Sequence, residues 1–187
     1  MDRWPDKNEA EKILESWMKN KNLRKHAYAV EAAMRAYAAK FGEDPEKWGV
    51  VGLLHDFDYE KFPTLEDHPF KGVEYLKEQG YCDELMEAIL AHAEHTGTTR
   101  DTVLKKCIFA VDELTGLIVA VALVRPSKKL ADVDVRSVRK KWKEKTFAAG
   151  VDRGIIERGA EELGIELTEH IDTVIKAMQG ISEKLGL

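Results

Sequence analysis

A chain of 187 residues can bury a core without disulfides or structural metals, so a metal bound by it is expected to serve chemistry rather than folding. The net charge of −5, with acidic and basic residues mixed, argues against a nucleic-acid polymer or an anionic membrane as partner and leaves small molecules as the default. Cys82 and Cys107 lack CxxC spacing and read as reduced thiols, and "MDRWPDKNEAEK" has no apolar export stretch, so a cytoplasmic location is expected.

In chain order, apolar residues recur at helical intervals through Ile13, Leu14, Trp17 and Met18, and again through Tyr28, Ala29, Ala32, Ala33, Ala36 and Tyr37. Gly42 closes the second of these helices and Pro45 opens a third, "PEKWGVVGLLHD", which ends on His55 and Asp56. A polar loop, "FDYEKFPTLED", follows. It fails as a calcium loop because Lys61 stands where the turn needs Gly and Asp67 where a bidentate Glu is required. Within it, Asp58 and Glu60 read as acids separate from the His-Asp pair, either solvated or, as the alternative, within reach of a substrate or a metal-bound water. "HPFKGVEYLKEQ" is the next helix, with His68 at its N-cap or just before it and Gly80 as its stop.

A helix over about 82–95 is expected to carry His92 and His95 three apart on one face. Residues 107–124 approach the length of a membrane span, but Asp112 and Glu113 interrupt them, which predicts a buried core helix with Asp112 as its odd residue. From 126 onward the chain turns rich in Lys and Arg, and helical patterns follow at about 152–163 and 168–184, the latter with His170 on an exposed helix. Alternating strand patterns are nearly absent, so the fold class is all-α, a compact bundle with the C-terminal helices packed alongside.

Five of the six histidines fall within residues 26–95, together with Asp56, and Asp112 follows. Imidazole nitrogen and carboxylate oxygen suit Fe, Mn, Zn and Ni, and facing helices can bring them together. Adjacent helical residues point about 100° apart, so His55 and Asp56 can share a site only where the helix ends and the chain turns. A carboxylate has two oxygens, which makes Asp56 the candidate bridge between two ions. No HExxH, Walker loop, GxGxxG after a strand or GxSxG elbow competes with this constellation.

The order His26, His55-Asp56, Asp112 on helices of an all-α chain resembles the HD-domain metal-dependent phosphohydrolase superfamily over roughly residues 20–125. "LLHDFDYE" and "AVDELTG" resemble its His-Asp and final Asp segments. "EDHPFKGVEYL" and "ILAHAEHTG" resemble the extra histidines of its two-metal members, among them cyclic-dinucleotide phosphodiesterases and a diiron oxygenase branch. The glycine-containing continuation after the His-Asp pair is replaced here by Phe57-Asp58-Tyr59 and no GYP signature follows, which argues against a cyclic dinucleotide.

The resemblance implies one HD-type domain over 1–187, with a metal-site core at 20–125 and a helical extension at 126–187. It places His26, His55, Asp56 and Asp112 on a first metal and Asp56, His68 and His92 on a second, and leaves His95 as either a further ligand or a hydrogen-bonding support behind the ligands. Two divalent ions are implied, Fe or Mn foremost, with Zn, Ni, Co or Mg as other occupants. The implied activity is hydrolysis of a phosphate ester of a nucleotide or other small metabolite, with Asp56 catalytic and with Lys145 and Arg153, flanking the small residues of "TFAAGV", as phosphate-binding cations. Lys128 and Lys129 are further cations of that kind. A diiron oxygenase using the same ligands, or a non-catalytic metal-binding regulatory domain, are the alternatives. The expected oligomeric state is monomer or homodimer.

Overall fold

The computed structural model describes residues 3–187, and among them only helices, turns and connecting segments occur. Helix α1 (Lys7–Trp17) begins with a reciprocal cap in which Asp6 accepts from the Glu9 N–H and Glu9 accepts from the Asp6 N–H. Asn20 caps α2 (Lys21–Phe41) by accepting from the N–H groups of Asn22 and Leu23, and Gly42 ends it at φ 74°, a left-handed conformation that glycine adopts without steric cost. Asp44 caps α3 (Pro45–Leu54), whose first-turn proline needs no hydrogen-bond acceptor.

Helix α3 has no polar face; everything from Trp48 to Leu54 is buried, so it runs through the core instead of along the surface. It lies close to α2 because position 52 is glycine: a Cβ there would meet the Glu31 Cα at 2.8 Å. Three further helices complete the first part of the chain: α4 (Phe70–Glu78), α5 (Asp83–Ala91) and α6 (Val103–Leu123). α6 is also largely buried and packs on α2, α5 and α3. Among the described residues no helix is long and apolar enough to cross a membrane.

The C-terminal third supplies α7 (Val135–Trp142), α8 (Arg153–Leu163), α9 (Leu167–Gln179) and the short α10 (Ser182–Leu185), so the run expected over 168–184 is broken at Gly180 and Ile181. α8 sits directly on α6, where a Cβ at Gly159 would come within 2.5 Å of the Ala110 Cα. Ile156, Ile171, Val174, Ile175 and Met178 join the same apolar cluster as α2 and α6. Each contributes about 1.5–3 kcal/mol by leaving water.

His170 does not lie on an exposed face as the sequence suggested; it is fully buried. Its Nε2–H donates to the Ala110 carbonyl at 2.8 Å and its Nδ1 accepts from the Tyr37 hydroxyl at 2.6 Å, which ties α9 to α6 and α2. Burial holds its pKa down to about 4, so the ring is neutral and its single N–H is the one the carbonyl requires.

Candidate metal centre

Five separate segments deliver the site. His26 projects from the second turn of α2, and Asp112 from the middle of α6. His55 is the C-terminal cap of α3, and the chain then coils through a turn, so that Asp56 leaves the helical direction and meets His55 at one place. His68 precedes α4, with Pro69 at its N-cap, and His92 caps the C-terminus of α5. Two of the histidines thus stand where helices end and the backbone is free to turn.

Two groups form. Donor atoms of His26, His55 and Asp112 lie within 4.8 Å of one another, as do those of Asp56, His68 and His92. Asp112 Oδ1 is 3.0 Å from His26 Nε2 and 3.4 Å from His55 Nε2. Asp56 stands between the groups. Its Oδ2 is 3.5 Å from His55 Nε2 and 3.7 Å from His26 Nε2, while its Oδ1 is 3.1 Å from His68 Nε2 and 3.3 Å from His92 Nε2.

The other ring nitrogen of each histidine is committed elsewhere. His55 Nδ1–H donates to the Gly52 carbonyl at 2.7 Å, and His92 Nδ1–H to the Ile89 carbonyl at 2.6 Å. His68 Nδ1–H donates to Asp58 Oδ1 at 2.7 Å. His26 Nδ1–H points at Thr115 Oγ1 at 3.4 Å, and that hydroxyl gives its own proton to the Asp112 carbonyl. Four Nε2 lone pairs therefore converge on carboxylate oxygens and on each other, His26 and His55 approaching to 3.2 Å. Acceptors this close need positive charge among them, and the N/O donor set suits divalent transition ions. The residues fit a metal centre.

Without ions, protons take that role. Burial opposes an imidazolium at His55, but the charges of Asp56 and Asp112 outweigh it and raise its pKa well above the ordinary value. Burial likewise opposes charge on His68, while its bonds to Asp56 and Asp58 lift it to about 9. Burial disfavours the ionised form of both carboxylates, yet the imidazoles hold Asp56 and Asp112 below the usual carboxylate range.

A cavity of about 450 Å³ opens onto this cluster, with Tyr59, Leu65, Phe109, Val151 and Ile155 among its walls. Among the described residues no Lys or Arg lines it, whereas Glu94 and Glu113 do. Burial, and then the adjacent Asp112 charge, raises Glu113 to about 7.

The expected phosphate-binding cations are placed elsewhere. Lys145 is exposed and outside the cavity lining. Arg153 turns its guanidinium into its own loop, donating through its two terminal nitrogens to the carbonyls of Ala148 at 2.7 Å, Val151 at 2.9 Å and Phe147, bonds that shape the wall carrying Val151, while its Nε is buried without a partner among the described residues. The helix expected to carry both His92 and His95 stops at Ala91, and Ala93 is extended. The two side chains part there, and His95 Nε2–H donates to the His68 carbonyl at 2.8 Å.

Asp58 is the residue that sequence reasoning misread. Far from being solvated, it is fully buried; beyond its bond to His68, its Oδ2 accepts from the Gly72 N–H at 2.7 Å. Glu60 is structural as well, accepting from the N–H groups of Lys19 and Asn20 between α1 and α2. The signal was slight: two acids, two residues apart, just after the His-Asp pair, with nothing local to show that the chain folds over the first.

Comparison with known proteins agrees with the geometry. A family model described as HD domain matches residues 23–117, an interval containing all six residues of the two groups. Ribonuclease Y of Lawsonia intracellularis is 28% identical over 152 residues, which cover 81% of this chain and 27% of that protein. The chain thus spans about a quarter of the length of the curated relative it matches. No solved structure matches it.

Proposed function

The chain belongs to the HD-domain family, and from that premise we propose that it is a metal-dependent hydrolase of phosphate esters. The observation that carries this reading is the Asp56 carboxylate, whose two oxygens face two separate His-containing groups. His26, His55, Asp112 and Asp56 Oδ2 would hold one ion, and Asp56 Oδ1, His68 and His92 a second, with iron or manganese best suited to the donor set. Divalent ions so bound supply Lewis acidity toward phosphoryl oxygens and make water acidic enough to serve as a nucleophile near neutral pH.

The chain's own contribution is preorganisation. With every Nδ1 committed, each imidazole can present only Nε2 to the site, and no ring must rotate or change tautomer to act. Asp56 is the catalytic carboxylate in the sense that it joins both halves of the centre. Leu65, Phe109, Val151 and Ile155 give the cavity a dry wall against which the organic part of a substrate can rest. Among the described residues no Lys or Arg side chain lines the cavity, so recognition of the phosphoryl group would fall to the ions that these histidines and aspartates would hold.

For the substrate, small phosphorylated metabolites and nucleotides are the expectation from sequence; the name of the relative, Ribonuclease Y, extends the class to phosphodiesters of RNA, and we adopt that extension. The unit of function would be one HD-type domain, residues 20–125 forming its metal core and 126–187 its helical extension. A cytoplasmic setting is consistent with the two free thiols, Cys82 and Cys107. The test is turnover of bis(p-nitrophenyl) phosphate and of a short RNA by manganese- or iron-loaded protein. Cleavage abolished by Asp56→Ala is the expected result; cleavage of both substrates undiminished by that change would refute the reading.

A further inference from the structure

The chain's net charge of −5 conceals a strong local asymmetry: residues 125–145 hold nine Lys and Arg against three Asp and Glu. Among the described residues only one of these nine, Lys141, has a carboxylate within 4.0 Å, whereas cations such as Arg35, Arg100 and Arg158 elsewhere are paired. Helix α7 is the centre of this segment. Its apolar residues Val135, Val138 and Trp142 fall on one face and pack on the core, so what it shows to solvent is Arg136, Arg139, Lys140 and Lys143. Grooves of about 470 and 530 Å³ flank the helix, and Arg136 and Lys140 line both.

This surface is connected to the metal centre along α6. Asp112, Glu113 and Gly116 line the cavity; Val119 and Ala120 continue the same side, half-buried, and Leu123 and Val124 are 49% and 56% exposed. Val124 then lines the first groove beside Arg125 and Arg136. From Glu113 to Val124 the helix rises about 16 Å, too far for one mononucleotide and equal to roughly five stacked nucleotides at 3.4 Å each.

We propose that α7 and the turn before it form a docking surface for the phosphate backbone of single-stranded RNA, which the exposed side of α6 leads into the metal-centre cavity. The proposal rests on the RNA-phosphodiesterase reading above. Cations without carboxylate partners exchange their counterions for phosphates on binding, and the uncharged track of α6 offers apolar surface to bases. An anionic membrane fits less well, because a helix lying on lipid turns its apolar stripe outward, and here the core has taken that stripe.

The experiment measures fluorescence anisotropy of a labelled twelve-nucleotide RNA, 2′-O-methylated and phosphorothioate-linked so that it is not cut, against the full chain and Arg136→Ala/Lys140→Ala/Lys143→Ala. All three positions are exposed, and a thermal melt confirms that the variant is folded. The expected result is at least tenfold weaker binding by the variant, a salt slope smaller by about 2, and unchanged turnover of bis(p-nitrophenyl) phosphate. Equal affinity of variant and parent, a parent slope near zero, or parent binding to phosphatidylserine vesicles but not to RNA overturns the proposal. So does parallel loss of small-diester turnover, which would place the cations in the cavity chemistry. If the parent turns over no diester at all, the hydrolase reading fails, and the anisotropy result still decides for or against docking.

Discussion

Asp58→Asn isolates the part of the centre that lies behind its ligands. The aspartate is fully buried, accepts from His68 Nδ1–H with one oxygen and from the Gly72 N–H with the other, both at 2.7 Å. Asparagine has nearly the same shape but only one acceptor oxygen, so its amide must turn an N–H toward one of the two donors. Losing one charge-assisted bond and stranding a buried donor costs about 2–4 kcal/mol of stability. His68 loses the partner that fixes its tautomer and orients its Nε2 toward Asp56, and disturbance of this kind behind a metal ligand lowers affinity about 10–100-fold. Urea unfolding of chelator-treated protein reads the first effect, and calorimetric titration with Mn²⁺ reads the second. A variant within about 0.5 kcal/mol of the parent, with the same manganese affinity, would refute the reasoning.

Other consequences concern pH and packing. His170 is held neutral in the fold, with a pKa of about 4 against 6.5 in the unfolded chain. The unfolded state therefore binds the extra proton between those values, and stability should fall by about 3 kcal/mol as pH drops from 6.5 to 4. The same urea series for His170→Phe should lack that slope, so subtracting it from the parent's isolates the His170 contribution; an identical slope in the variant would contradict it. His68 behaves oppositely in metal-free protein. Its pKa is raised from 6.5 to about 9, so its contribution is complete below pH 6.5 and is lost as pH rises toward 9. Manganese uptake near pH 7.5 should accordingly release protons, seen as a dependence of the calorimetric heat on buffer ionisation enthalpy, and no such dependence would argue against converging imidazoles. Gly52→Ala would drive a methyl into the α2 backbone at Glu31, costing about 1–3 kcal/mol and separating His26 from His55; a melt and a manganese titration both unchanged would show that this approach is not tight.

The parts of the site that could be read from sequence are those whose logic is local. His55 and Asp56 end an apolar run, and His26 and Asp112 lie on helices with clear periodicity; helix geometry allows them to meet, and the resemblance to HD domains is what assigns them to one metal. Asp58 was not legible because its burial depends on the N-terminus of α4, fourteen residues on at Gly72, closing over it. His170 was legible and misread: it precedes Val174 and Met178 at four-residue steps, which is the buried face of α9. The His92–His95 pairing failed on one extended residue, Ala93, that no periodicity reveals. The small residues of "TFAAGV" suggest a ligand beside Arg153, but its guanidinium binds the carbonyls of that same stretch.

The most direct measurement is the metal content of protein purified without chelator in iron- or manganese-supplemented medium, determined for the parent, Asp56→Ala and His92→Ala. The two groups of ligands predict two ions per chain in the parent, neither held stoichiometrically by Asp56→Ala, and one retained by His92→Ala through His26, His55 and Asp112. Full metal content in folded Asp56→Ala would contradict the account at its centre.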